Sequence, residues 1–413
     1  MEQPSAKINI RALFNTTVLV SALGYFVDIY DLILFSIVRV PSLTSLGVAS
    51  TELGNIGLTI LNMQMAGMLV GGILWGILGD KKGRLSVLFG SILLYSIANF
   101  ANAFVPNITL YALLRFVAGV GLAGQLGAAV TLVSEVMPKE TRGYGTALVA
   151  TIGVTGAIFA AIVGELFTWH TAYIIGGVLG FVLLLTRVHM FESGIFKTVK
   201  TAGIVKGKFT SLFTSRDRFF RYLNCILIGL PIWFVVGVLV TLSPEFGKLL
   251  GYHDPIVAGR SVMFTYTGLI FGDFLSGFVS QLIKSRKKVV LFFLMSTLVF
   301  ILIYLYLPGK SAAYFYSLCF ALGFSIGYWA VFVTVASEQF GTNLRATVTI
   351  TVPNFVRGAV VIFVSAFKWL IPVVGMVNSA LIVSVVSVVI AMVSLYNLHE
   401  TFGRDLDFLE SDV

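Results

Sequence analysis

Twelve stretches of about 20 or more mostly apolar residues follow one another along this 413-residue chain. They run from a first window at about 13–38 to a last one at about 376–398, and each is long enough to cross the hydrocarbon layer of a bilayer as a helix. Of all residues, 57% are hydrophobic and only 11% are charged, whereas soluble globular proteins carry roughly 25% charged residues. The sequence therefore predicts an all-α membrane protein with twelve transmembrane helices and the lipid bilayer as its surroundings.

The basic residues are distributed unevenly among the loops between these windows. With a cytoplasmic N-terminus, 21 of the 28 Lys and Arg residues, Arg187 among them, fall in cytoplasmic segments. Five, including Arg39, fall in outer segments, while Arg115 and Arg357 lie inside windows. This asymmetry follows the positive-inside rule, so the net charge of +9 requires no nucleic-acid partner. We expect a monomeric protein of a bacterial inner membrane, with both termini in the cytoplasm.

The two halves of the chain repeat each other. SEVMPKETR begins at Ser134 and SEQFGTNLR begins at Ser337, and the Ser, Glu and Arg of each segment are separated by the same offset of 203 residues. Gly71 and Gly76 in the second window recur as Gly272 and Gly277 in the eighth at a nearly equal offset. A repeat of six spans predicts two pseudo-symmetric six-helix bundles with a central site between them. The predicted domains are residues 1–190, a cytoplasmic linker at 191–220, and residues 221–413.

Three motifs resemble those of the major facilitator superfamily. GILGDKKGR, residues 76–84, is similar to the loop signature between the second and third spans of that family. RFVAGVG at 115–121 resembles the signature of the fourth span, and EVMPKETRG at 135–143 resembles the loop that follows it. The resemblance covers essentially the whole chain and implies the major facilitator fold.

Within that superfamily, GYFVDIYD at 24–31 and RFVAGVGLAGQLG, which starts at Arg115, are most similar to the metabolite:proton symporter group. The resemblance implies that Asp28 and Asp31 take part in coupling to protons. Two residues depart from the group, because Tyr25 stands where Asn is common and Gln125 stands where Glu is common. Both are included among the predicted substrate-binding residues.

Two carboxylates in the first apolar window need a physical explanation. A charge at the bilayer centre costs about 2.5 to 3.5 kcal/mol on insertion scales, so Asp28 and Asp31 should face inward, toward partners or a water-filled passage. The helical rise places Asp31 and Arg115 at similar depths, roughly 10 Å below the outer side, where they could pair. A guanidinium that moves relative to a carboxylate changes its proton affinity, which predicts a proton-coupling group of Asp28, Asp31 and Arg115. The alternative is a structural Asp–Arg pair that only fixes helix packing.

The charged residue of the eleventh window is the best candidate for binding substrate charge. The planar guanidinium of Arg357 suits a carboxylate, which favours an anionic or zwitterionic metabolite. The alternative is that Arg357 lies near the cytoplasmic end and pairs with Glu338 or lipid phosphate. The predicted substrate-binding residues are Tyr25, Asp28, Gln125, Trp233, Asp273, Tyr328 and Arg357. Trp329 is a further candidate for the wall of the cavity.

A third set of residues is predicted to control the opening of the cytoplasmic side. In the family that this chain resembles, the loop containing Asp80 and Arg84 braces the two halves when the outer side is open. A carboxylate at a helix end can pair with basic groups and exposed backbone donors, and such contacts shift the balance between two conformers. Equivalent pairs in the two halves are Glu135 with Arg142 and Glu338 with Arg345.

Several other function classes lack support in the sequence. The four His residues show no metal-ligand spacing, and no Gly-Lys-Ser/Thr phosphate loop is present, so we predict neither an enzyme nor any cofactor other than the proton as coupling ion. The predicted function is proton-coupled uptake of a small polar metabolite, such as an organic acid or zwitterion, by alternating access. The alternatives are a sodium-coupled carrier, a facilitator or an exporter of the same fold, or a transporter-like sensor.

Overall fold

The computed structural model describes residues 16–82, 84–125, 142–192, 209–307, 309–403 and 408–410. Within these ranges the regular elements are all helical. Six long helices come first: α1 Thr16–Ser45, α2 Leu53–Lys82, α3 Arg84–Asn102, α4 Ile108–Leu122, α5 Arg142–Leu166 and α6 Trp169–Glu192.

The helices of the second half are interrupted more often. They are α7 Arg216–Ile228, α8 Leu230–Phe234, α9 Ser243–Leu249, α10 Ala258–Leu282, α11 Arg286–Tyr306, α12 Ala312–Ser325, α13 Trp329–Glu338, α14 Thr342–Gly358 and α15 Val360–Asn397. A short 3-10 helix at Phe209–Phe213 precedes α7, and a π-helical turn at Val235–Val240 follows α8.

The prediction of twelve membrane passes is confirmed. In the described part of the chain, nine helical segments are long and apolar enough to cross a bilayer, and two shorter apolar helices accompany them. One of the nine covers 55 residues, Asn343–Asn397, which would be about 80 Å as a straight helix against a hydrocarbon layer of about 30 Å. It turns at Gly375, where φ is 79°, and therefore contains two passes. Large apolar side chains such as Phe274, Ile362 and Trp369 are more than 70% exposed, as lipid contact requires. The chain is an integral membrane protein.

Two passes of the second half are broken near their middle. Pro231 is the second residue of the short helix α8, and a proline cannot continue the hydrogen-bond pattern of the preceding helix. The break between α12 and α13 lies at Gly327, whose backbone packs so closely on Gly272 that a Cβ there would collide with it. These breaks place Trp233 beside the start of α13.

Glycines give the two halves the same close helix contact. A Cβ at Gly67 or Gly71 of α2 would collide with a backbone carbonyl of α4. At the matching places in the second half, a Cβ at Gly268 or Gly272 of α10 would collide with a backbone carbonyl of α12. The repeat seen in the sequence at Gly71 and Gly272 is therefore a repeat of helix packing.

Gly272→Ala is expected to lower the melting temperature of the purified protein by several degrees. The added methyl group would overlap the carbonyl of Phe324, and overpacking of this kind costs about 1 to 3 kcal/mol. Gly277→Ala is the matched control, because a Cβ at Gly277 would have no atom of a described residue within 4 Å. Equal melting temperatures of the two variants in the same detergent would show that α10 and α12 are not packed this tightly.

Candidate functional site

A single guanidinium lies between two tryptophan rings at the centre of the second half. Arg357 of α14 is 3% exposed, and its Cζ is 5.3 Å from the ring centroid of Trp233 and 5.6 Å from that of Trp329. Both distances are within the range of a cation–π interaction. The Nε of Arg357 and the indole Nε1 of Trp233 are buried and have no hydrogen-bond partner among the described residues. Two unused donor groups therefore occur together, as an anion-binding site requires.

Two tyrosines complete this cluster. Tyr25 of α1 and Tyr266 of α10 are each 3% exposed, and both lie within electrostatic range of Arg357. Tyr25 comes from the first half of the chain, so the cluster spans the contact between the halves. Tyr266 was not predicted, because an aromatic residue in an apolar window is indistinguishable from a packing residue in the sequence.

The other predicted substrate-binding residues are engaged elsewhere. Asp273 accepts a hydrogen bond from the backbone N–H of Ala330 at 3.0 Å, which caps the start of α13. Tyr328 is fully buried and donates to the carbonyl of Ile228 at 3.0 Å, so it fixes the packing of two broken passes. The amide of Gln125 donates to Ser91 and to the carbonyl of Leu88, so it belongs to the first half of the chain.

Asp28 and Asp31 are 5% and 0% exposed, and none of their four carboxylate oxygens accepts a hydrogen bond from a described residue. Asp31 lies inside the first six helices, against Arg115 of α4 and Gly176 of α6. The predicted pairing is not a direct contact, because Arg115 donates to Asn99 and its Cζ lies 5.2 Å from the ring of Tyr173. Asp31 is therefore set back from the contact between the halves, whereas Asp28 lies within electrostatic range of Arg357.

The structure corrects the placement of Arg187. The sequence assigned it to the cytoplasmic segments, but α6 continues to Glu192 and Arg187 is only 6% exposed. Its Nη1 donates to Oε1 of Gln125 at 2.8 Å. A basic residue near a helix end usually extends toward the headgroups. Arg187 turns inward because Gln125 accepts its hydrogen bond and because Gly24 has no side chain to exclude its guanidinium.

The sequence assigned Arg39 to an outer segment but did not predict its burial. Helix α1 extends to Ser45, and the side chain of Arg39 is fully buried. Both terminal nitrogens donate to the carboxylate of Glu245 at 2.7 Å, and further bonds reach the carbonyls of Leu53 and Thr241. This bidentate pair joins α1 to α9 and therefore connects the two halves.

Other polar contacts join the halves at the same end. Arg260 pairs with Glu165 at 2.5 Å, and Lys368 donates to Thr59 at 2.8 Å. The hydroxyl of Thr241 donates to that of Ser36 at 3.0 Å. Together with Arg39 and Glu245, these contacts close the end of the molecule that the charge pattern assigns to the outer side.

Glu245→Gln is expected to open this end at least tenfold more often. The guanidinium of Arg39 is fully buried, whereas the side chain of Glu245 is 25% exposed. Removing one partner of a fully buried ion pair costs about 3 to 5 kcal/mol and an exposed pair contributes about 0 to 1 kcal/mol, so we expect a cost between these two ranges. A Ser36→Cys reporter, with Cys225 and Cys319 replaced by Ala, would be labelled from outside with an impermeant maleimide. Glu165→Gln breaks the exposed pair with Arg260 and is the matched control, with little change expected. Similar labelling rates in the two variants would exclude a special role of the buried pair.

The predicted cytoplasmic gating residues are only partly within the described chain. Glu135 lies outside the described residues, and so do the side chains of Asp80, Arg84 and Arg142. In the second half, Glu338 lies 3.5 Å from Arg286 and accepts a hydrogen bond from Thr401 at 2.7 Å. Arg345 donates to the carbonyls of Ser337 and Phe340. Since Glu338 is held by Arg286 and Arg357 is buried elsewhere, the alternative pairing of Arg357 with Glu338 is wrong.

Within the described ranges, no group of three or more His, Cys, Asp or Glu residues is placed to hold a metal ion. The charged side chains at the centre are the buried carboxylates of α1 and the guanidinium of Arg357. A carboxylate can gain or lose a proton, and a guanidinium between aromatic rings can bind an anion.

Comparison with known proteins agrees with this arrangement. The family model described as Major Facilitator Superfamily matches residues 21–366. The crystal structure of a D-xylose-proton symporter superposes with a TM-score of 0.70 at 15% identity, over 94% of this chain and 99% of that one. At this identity the likeness shows the fold alone.

The curated relatives include transporters named for aromatic compounds. The Niacin transporter NiaP of Acinetobacter baylyi is 36% identical over 169 residues, which are 40% of this chain and 38% of that protein. A Bacillus subtilis relative named for niacin/nicotinamide transport is 26% identical over 82% of this chain and 84% of its own length. The Gentisate transporter of Corynebacterium glutamicum is 24% identical over 78% and 73%, respectively.

Proposed function

Because this chain belongs to the Major Facilitator Superfamily, whose members are transporters and not enzymes, we propose that it imports a small aromatic carboxylic acid together with protons. The predicted major facilitator fold is confirmed by the family match and by the structural likeness. The proposal includes residence as a monomer in a bacterial inner membrane, with cytoplasmic termini and no cofactor beyond the proton.

The observation that carries the proposal is the unpaired guanidinium of Arg357. No carboxylate among the described residues forms an ion pair with it, and the neighbouring indole N–H of Trp233 has no acceptor. A buried charge is costly unless it is paired, so this site is most stable when an anion supplies the missing acceptor. A carboxylate matches the planar fork of the guanidinium with two hydrogen bonds.

The aromatic surroundings favour a flat apolar body on the same ligand. Trp233, Trp329, Tyr25 and Tyr266 surround the guanidinium, and aromatic pairs contribute about 0.5 to 1.5 kcal/mol beyond the burial of their area. The names of the niacin and gentisate relatives point to the same ligand class. A sugar, in contrast, would leave the charge of Arg357 without a partner.

Protons provide the driving force in this proposal. Asp28 and Asp31 are buried and accept no hydrogen bond in the described part of the chain. Each lies near a guanidinium whose movement would change its proton affinity. One proton carried with one carboxylate moves no net charge, so the pH gradient and not the membrane potential drives uptake. Each pH unit is worth about 1.4 kcal/mol, enough for about tenfold accumulation of the acid. The closed outer end is one of the two states that alternating access requires.

Uptake into proteoliposomes tests the proposal. Radiolabelled nicotinate, gentisate, benzoate and glucose would be offered under an inward proton gradient, and then under an inward sodium gradient at constant pH. We expect accumulation of at least one aromatic acid, driven by protons only, and no accumulation of glucose. Accumulation driven by sodium, equilibration without accumulation, or binding without uptake would favour the sodium-coupled carrier, the facilitator or the sensor, respectively.

A further inference from the structure

We propose that Arg187 sets the proton affinity of Asp28 and that Gln125 is the positioning residue that holds Arg187 in place. The inference rests on the proposed function, because it concerns one of the two acids that would carry the proton. It gives each acid its own guanidinium, Arg187 for Asp28 and Arg115 for Asp31.

The side chain of Gln125 has a fixed orientation. It is fully buried, and its amide nitrogen donates to the carbonyl of Leu88 at 3.1 Å and to the hydroxyl of Ser91. These two bonds point its oxygen toward α6, where it accepts from Nη1 of Arg187 at 2.8 Å. Since both ends of the amide are engaged inside the protein, Gln125 serves to anchor Arg187 and not to bind substrate.

Helix α1 has no side chain at the position where the guanidinium of Arg187 lies. A Cβ at Gly24 would collide with Nη2 of Arg187, so the absence of a side chain there allows the guanidinium to reach the helix surface. Asp28 is four residues later and on the same face of α1. Arg187 lies within electrostatic range of Asp28, although the carboxylate accepts no hydrogen bond from any described residue. The influence of Arg187 on Asp28 is therefore electrostatic.

Other groups also lie within electrostatic range of Asp28. They are Tyr95 of α3, Arg357 of α14, and Asp31 and Tyr25 of its own helix. A nearby cation favours the charged form of a carboxylate, and a nearby anion disfavours it. In the predicted topology α1 starts at the cytoplasm, so Arg187 lies on the cytoplasmic side of Asp28. Its charge would favour release of the proton to that side.

Infrared titration of the purified protein in lipid tests this inference without any substrate. The band of each protonated acid is identified by its loss in Asp28→Asn or Asp31→Asn. Arg187→Gln is expected to move the titration midpoint of Asp28 at least one pH unit higher, a tenfold change in proton dissociation, with a smaller change for Asp31. Arg187→Lys should restore part of the difference.

A second variant displaces Arg187 without removing any charged residue. Gly24→Ala should displace only the flexible end of Arg187, and we expect the midpoint of Asp28 to rise here as well. An unchanged Asp28 midpoint in both variants, or equal shifts of Asp28 and Asp31, would overturn the inference. Proton-coupled uptake with an unmoved Asp28 midpoint would overturn this inference alone. The expected shifts in a protein that transports no acid would overturn the proposed function alone.

Discussion

Arg357→Gln is expected to weaken binding of the transported acid by at least about 30-fold, because the substrate carboxylate would lose its only cationic partner in the aromatic cluster. Truncating one member of a buried charge pair costs about 2 to 5 kcal/mol, and 1.4 kcal/mol corresponds to a factor of ten. Arg357→Lys keeps the charge but loses the planar fork, so we expect an intermediate loss. Equilibrium binding to the purified protein measures both effects.

A comparison of ligands separates recognition from general damage. The neutral carboxamide of the same compound should bind the wild-type protein weakly, and Arg357→Gln should bind acid and carboxamide about equally, which makes the double-mutant cycle strongly non-additive. Arg260→Gln removes an exposed guanidinium that pairs with Glu165 and serves as the control. If Arg357→Gln bound the acid within threefold of wild type, the site of the carboxylate would have to be elsewhere.

Asp31→Asn is expected to abolish accumulation of the acid against its gradient while sparing exchange of labelled for unlabelled acid across the membrane. Asparagine fills the same space but cannot change its charge, so the conformational cycle would no longer be linked to a proton. The accumulation supported by the pH gradient, about tenfold per pH unit, should then fall to none. Counterflow and uphill uptake in the same proteoliposomes measure the two activities side by side.

Asp28→Asn provides a comparison within the same helix. Asp28 lies within electrostatic range of Arg187 and of Arg357, the residue proposed to bind the substrate carboxylate. Loss of the Asp28 carboxylate should therefore weaken substrate binding as well as proton coupling. Asp31 is enclosed by the first six helices, and its loss should leave binding nearly unchanged. Uphill uptake that persists in Asp31→Asn would assign the proton to another group.

Hydropathy and loop charge predicted the twelve passes because helices in a bilayer must bury every backbone polar group internally. The same reasoning identified Asp28, Asp31, Arg115 and Arg357, since charges inside apolar windows are costly and need a reason. The hydrogen-bond partners of these residues could not be predicted from the sequence. Asp31 and Arg115 occur at similar depths as predicted, but Asn99 lies beside the guanidinium and only the packing of α3 against α4 shows this.

The burial of Arg39 and of Arg187 was not predicted, for one physical reason. Each lies near the end of an apolar window, where a long basic side chain ordinarily extends to the headgroups. Whether it turns inward depends on acceptors from distant parts of the chain, here Glu245 for Arg39 and Gln125 for Arg187. Sequence spacing along one helix contains no information on those contacts. Gln125 was predicted as a substrate-binding residue, and its hydrogen bond to Arg187 was likewise not evident from the sequence.

Proton-coupled uptake is tested most directly by asking whether each acid molecule enters together with a proton, and whether this depends on Asp31. Proteoliposomes containing a pH-sensitive dye would receive a transported aromatic acid from outside, beside protein-free liposomes that measure passive entry of the neutral acid. We predict that wild-type protein acidifies the interior faster than protein-free liposomes do, and that Asp31→Asn does not. Protein-dependent uptake of the acid with no acidification beyond the passive rate would contradict the account.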